Sequence, residues 1–205
     1  MSHPSKGRRH PDPDSRPNLD NRPSLQLNLQ LRAKHSAEIR RATLQLPELK
    51  GAAIEISMRP KLTTHDGKLL SGSLSGKAVH AACFVRKREI VLETALGRNA
   101  AMLRLIVIHE IFHFVWARLG NALRQSFAAV LRTEAERGAR GELGESAAIH
   151  KDKARSKEYL CESFCDTAAW MYAGVEEHAE FTLARRWRNK RRAWFEYCFE
   201  RPRAC

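Results

Sequence analysis

The sequence predicts an α+β fold. Short β-branched segments occupy the first half of the chain, long apolar-periodic segments occupy the second, and no internal repeat interleaves the two. The 205 residues are 43% hydrophobic and 29% charged, which supports one domain with a buried core and excludes a wholly disordered chain.

Residues 1–26 hold five of the eight prolines and almost no apolar side chains. Such a stretch buries too little surface to offset its chain entropy, so a disordered tail is expected there, with a single domain over 27–205. From Leu27 to Leu46, leucines and Ile39 alternate with Arg, Lys and Gln up to Pro47. This suits a surface helix, although Leu at alternate positions near the start also fits a strand. Ala52–Met58 (AAIEISM) is short, rich in β-branched residues and followed by Pro60, and reads as a strand.

Residues 60–77, rich in Gly, Ser and Thr, read as a loop. Gly72, Gly76 and Lys77 lack the spacing of a phosphate-binding Walker loop. Val79–Val85 and Glu89–Leu92, separated by Arg86, Lys87 and Arg88, read as a hairpin with a charged turn.

Asn99–Leu119 (NAAMLRLIVIHEIFHFVWARL) is apolar on nearly every face, which marks a helix buried inside the domain. A second apolar-periodic stretch runs from Gly120 to about Thr133. The Gly- and charge-rich segment 134–157 reads as an exposed insertion. Helices over Glu158–Ala173 and Glu176–Phe199 complete the chain, with Gly174 as the break between them.

Inside the buried helix lies His109-Glu110-Ile111-Phe112-His113, an HExxH motif. Residues four apart on a helix point within roughly 40° of each other and one turn apart, so the two imidazoles can grip one Zn²⁺. Glu110, rotated by about 100°, stands close enough to take a proton from water at the metal. Burying two imidazoles and a carboxylate without partners costs several kcal/mol, and a metal resolves that cost.

A catalytic zinc site wants a third protein ligand. The metzincin continuation needs Gly at 116 and His at 119, where Trp116 and Leu119 stand. Downstream, Glu162-Ser163-Phe164-Cys165-Asp166 reads as ExxxD on a helix, with Glu162 and Asp166 on one face. Glu162 can ligate the metal while Asp166 accepts a hydrogen bond from a ligating imidazole. His150, His178, Cys161 and Cys165 are rival third ligands.

HExxH on one helix with ExxxD on a later one resembles the gluzincin metallopeptidases. The run ESFCDTAA (Glu162–Ala169) and the single-domain size are also similar to the minimal ImmA/IrrE-type peptidases. The resemblance implies a minimal zincin-like domain: a small N-terminal mixed sheet, an active-site helix and a helical C-terminal half. It further implies zinc held by His109, His113 and Glu162, with Glu110 as general base and Asp166 as the partner of a ligating histidine. The activity it implies is hydrolysis of peptide bonds in a protein or peptide substrate. In such folds an edge strand lines the cleft, and Val79–Val85 has the matching place in chain order. Two features depart from the pattern: 48 residues separate His113 from Glu162, and Cys161 stands where an Asn often precedes the ligand.

Charge poses a separate question. Lys and Arg number 36 against 23 Asp and Glu, a formal net charge of +13. Arg185–Arg203 concentrates cations among Trp187, Trp194, Phe195, Tyr197 and Phe199. An amphipathic terminal helix explains the pattern, and so does a surface for nucleic acid or an acidic partner, which is the role of a non-catalytic alternative. No apolar leader and no run of membrane-spanning length stands out, so a cytoplasmic protein without a transmembrane segment is expected. Five cysteines without a dense framework fit reduced thiols.

Overall fold

The computed structural model describes residues 29–31, 36–47, 51–66, 68–72, 76–151 and 156–200. The tail expected over 1–26 lies outside them. The described chain is α+β. A four-stranded mixed sheet comes together in the order β1-β2-β7-β6, from β1 (Leu29–Leu31), β2 (Ile54–Arg59), β6 (Ala81–Phe84) and β7 (Glu89–Glu93). β1–β2 and β2–β7 pair in parallel, whereas β6–β7 is antiparallel and leaves β6 at the sheet edge. Burial explains the central position of β2 and β7: Ile54, Ile56, Ile90, Val91 and Leu92 are all buried. A left-handed Arg88 (φ 55°) closes the β6–β7 hairpin, and its guanidinium donates to the carbonyls of Ala52 and Ala53, fastening the turn to the start of β2.

The stretch from Leu27 does not form one helix. Its alternating leucines become β1, and only Ser36–Thr43 is helical (α1). Parallel pairing with β2 satisfies the backbone that a helix would have satisfied internally. Residues 60–77 are likewise more than a loop. β3 (Leu62–His65), β4 (Lys68–Ser71) and β5 (Lys77–Ala78) form a three-stranded antiparallel sheet ordered β4-β3-β5. Thr63 and Thr64 lie within β3 and Ser71 ends β4, while Gly72 (φ +78°) follows β4 and Gly76 (φ +100°) precedes β5.

α2 (Ala100–Arg118) is the central helix, capped by the Asn99 side chain, which accepts from the Met102 amide at 3.1 Å. By length and composition α2 could cross a membrane, contrary to the expectation of no such run. Ten of its nineteen residues are instead buried within the described chain. α3 (Asn121–Glu136), α4 (Glu145–His150) and α5 (Lys157–Tyr172) follow. Phe112 of α2 and Phe164 of α5 are fully buried with ring centroids 5.8 Å apart, and Phe127 and Phe195 pack on Phe164 at 5.6 and 4.9 Å. Each such ring contributes about 1.5–3 kcal/mol of burial, and together they lock α2 against α5. Phe112 lies between the two histidines of HExxH, and Phe164 lies between Glu162 and Asp166, so the packing that joins the helices also sets the site.

Segment 134–157 is not an exposed insertion where it is described. Glu134, Glu142, Leu143 and Ala147 are buried. Glu142 is docked by two backbone hydrogen bonds from Thr182 and Leu183, both 2.9 Å. Both glutamates are drawn inward by Arg191, whose guanidinium lies 2.7 Å from Glu134 and 3.0 Å from Glu142. The last helix is also shorter than the expected Glu176–Phe199. Gly174 (φ +62°) ends the preceding segment, irregular chain follows, and α6 spans Arg185–Phe195 before a π-helical turn, Glu196–Glu200.

Candidate metal centre

α2 and α5 place five sequence-singled residues side by side. Glu162 Oε2 lies 3.2 Å from His109 Nε2 and 4.0 Å from His113 Nε2, so one carboxylate oxygen faces both imidazoles. His109 Nδ1 lies 2.8 Å from Asp166 Oδ1. The other Asp166 oxygen accepts the Ala147 amide at 2.9 Å. Asp166 is thus held from two sides and can orient the ring of His109.

Gly144 belongs to this support, and sequence reasoning missed it. A Cβ at position 144 would collide with the Asp166 carboxylate. The GELGES stretch at Gly141–Ser146 offers only its glycine as a signal, and nothing local ties that glycine to a residue 22 positions away.

Cys161 and Cys165 were rival ligands in the sequence. Their Sγ atoms lie 3.4 and 3.5 Å from His113 Nδ1, the nitrogen turned away from Glu162. A hydrogen bond from Cys165, together with His113, brings the Cys161 thiol down to about 6 in spite of burial. Cys83 of β6 feels the charges of Glu110, Cys161 and Glu162, and burial first and these charges second push its thiol far up. Two overlapping donor trios have ligand atoms within 4.8 Å of one another: His109, His113 and Cys165, and His113, Cys161 and Glu162. Either could hold a metal ion. His178 sits apart, 3.9 Å from Glu180 and with its ring tilted against that of Phe181 at 5.7 Å. His150 ends α4 and acts on Glu162 only through its charge.

The buried groups of the cluster shift one another's protonation. Burial alone would lower His109, yet the hydrogen bonds of Asp166 and Glu162 carry it well above the ordinary imidazole value. Burial would also raise Glu162, but His109, His113 and His150 hold its carboxyl below the usual value. For Glu110 burial prevails over the pull of the histidines, and its carboxyl is raised. Glu110 makes no hydrogen bond to any described residue.

A cavity of about 340 Å³ opens onto His109, Glu110 and Asp166. Its walls include Val79 and Ala81 at the β6 edge, with Glu145 and Phe181 opposite; His113 and Glu162 are not part of its lining. The chain matches no protein-family profile, no curated protein and no solved structure.

Proposed function

We propose that the protein is a zinc-dependent metallopeptidase with a minimal zincin-like architecture. The observation that carries this reading is the row Glu162–His109–Asp166, beside the unpartnered carboxylate of Glu110 on the cavity wall. His109, His113 and Glu162 would hold the ion, since two imidazoles and one carboxylate make a donor set that catalytic zinc takes. A bound Zn²⁺ supplies Lewis acidity and lowers the pKa of water at the site towards 7.

The chain's own residues supply the remainder. Asp166 accepts the Nδ1 proton of His109 and so would leave Nε2, the nitrogen on the Glu162 side, to a metal ion in place of a proton. Cys161, at the rear nitrogen of His113, does the same more weakly for the second ring. Glu110 accepts a proton from the attacking water and returns it to the leaving amine nitrogen; burial raises its carboxyl towards the working range of a general base. The free edge of β6, next to the cavity, suits pairing with an extended peptide backbone. A purely structural metal site has no use for Glu110, which favours catalysis over the non-catalytic alternative.

The test uses the full chain purified without chelator. It is expected to hold one zinc per chain and to cleave casein or a mixed peptide library. Glu110→Gln is expected to keep the zinc and lose at least about 100-fold in cleavage rate. Failure of the wild type to bind zinc, or cleavage by Glu110→Gln at the wild-type rate, overturns the reading.

A further inference from the structure

We infer that the outer face of α6, joined by Arg137 at the end of α3, docks the phosphate backbone of duplex nucleic acid. The helix divides its residues sharply. Trp187, Arg191, Trp194 and Phe195 are buried, while Arg185, Arg186, Lys190 and Arg192 are exposed. The inward cation, Arg191, is neutralised by Glu134 and Glu142. Arg188 is half-buried, donates to the carbonyls of Phe181 and Leu183, and lies 3.6 Å from Glu177. Arg137, Arg185, Arg186, Lys190 and Arg192 form no ion pair with any described residue.

These outer cations are also held in place. Arg186 and Lys190 each lie 4.9 Å from the Trp187 ring centroid, and Arg192 lies 4.6 Å from that of Trp170. Arg137, Arg186 and Lys190 surround a depression of about 250 Å³ floored by Trp187, with no carboxylate in its lining. Arg185 and Arg192 line a second depression that Glu176 and Glu177 also line, so the like charges crowd without a nearby carboxylate at Arg137, Arg186 and Lys190, where an incoming polyanion relieves the repulsion.

The kind of polyanion follows from where the rings point. A helix that lies on an anionic bilayer inserts an apolar face, and here every large apolar side chain of α6 is committed to the core. Single-strand surfaces stack bases on exposed rings, and Trp187 and Trp170 are only 3% and 8% exposed, with cations over their faces. A duplex needs neither: it presents a dense row of phosphates, about one charge per 1.7 Å of axis, readable by cations alone. The surface is therefore indifferent to sequence, and it does not depend on the peptidase reading.

The experiment is fluorescence anisotropy of the full chain with a labelled mixed-sequence 20-base-pair DNA duplex, titrated from 50 to 200 mM salt. Five contacting cations give a log–log salt slope of about −4.5. The variant carrying Arg137→Gln, Arg186→Gln, Lys190→Gln and Arg192→Gln is expected to flatten the slope by about 1 per cation and weaken binding more than 10-fold at 100 mM salt. Exchanging charges of the same sign, Arg186→Lys with Lys190→Arg, is expected to retain binding. Independently of any variant, the duplex is expected to shield Lys190 of the wild type from acetylation, read by mass spectrometry. The proposal is overturned by absence of duplex binding at 50 mM salt, by wild-type affinity in the neutralised variant, or by unchanged acetylation of Lys190. Equal or tighter binding to a single strand of the same length, or to phosphatidylserine vesicles, also overturns it.

Discussion

Two buried charged clusters each take residues from α5, and they are built in opposite ways. Around Arg191, every charge meets a counter-charge. Its guanidinium bonds Glu134 and Glu142, the Tyr159 hydroxyl donates to Glu142 at 2.7 Å, and Lys151 lies 3.1 Å from the same carboxylate. Around His109 there are three carboxylates, Glu110, Glu162 and Asp166, against two imidazoles, and Glu110 is left facing the cavity. A buried carboxylate without a partner is expensive, so a cluster that keeps one is fit for something arriving from outside. The charge-balanced network, in which Arg191 Nη1 alone of the guanidinium nitrogens is without a hydrogen-bond partner, fastens α6 to α3 and the segment after it. The open one, on the proposed reading, would take a metal ion and use Glu110 as the base.

The contrast is sharpest where one substitution should harm stability and leave metal chemistry alone. Arg191→Met strands Glu134 in the interior, while Glu142 keeps Lys151 and Tyr159, and is expected to cost about 3–5 kcal/mol of stability in urea denaturation. An unchanged unfolding midpoint would break the distinction from the structural side. Glu162→Ala should behave in the converse way. Zinc affinity, measured by competition with a chelator, is expected to fall by more than the roughly 10–100-fold worth of an orienting partner, while metal-free stability changes little. His150→Ala is expected to leave that affinity unaltered; the reverse pattern would replace Glu162 as ligand.

Smaller effects grade the support around the metal. Asp166→Asn removes the carboxylate behind His109 and is expected to lower zinc affinity by about 10–100-fold. Cys161→Ala takes a softer partner from His113 and is expected to cost less than about 10-fold, with Cys161→Asn restoring most of it. Equal losses for Asp166→Asn and Cys161→Ala would show that the two imidazoles are supported alike.

Parts of this architecture are legible in the sequence because they are local. The helix at Ala100–Arg118 is announced by its apolar run, and the angular relation of His109, Glu110 and His113 follows from helical geometry alone. The same holds for Glu162 and Asp166 on α5. The segment 134–157 misled because Glu134 and Glu142 are ordinary surface residues until Arg191, 57 and 49 positions onward, turns inward to meet them. The strands of 60–77 were hidden by their brevity, since two to four residues show too little alternation to separate strand from turn.

By itself, then, the sequence determined the α+β class, the two helical motifs and the abundance of cations, all properties of neighbours along the chain. Only the tertiary structure decided which cations are neutralised and which face outward on α6. It likewise decided that Asp166 meets His109 and that Gly144 leaves room for the Asp166 carboxylate. The physical reason is that helical periodicity is set by backbone geometry over a few residues. Charge neutralisation and close packing are settled between segments that sequence spacing does not relate.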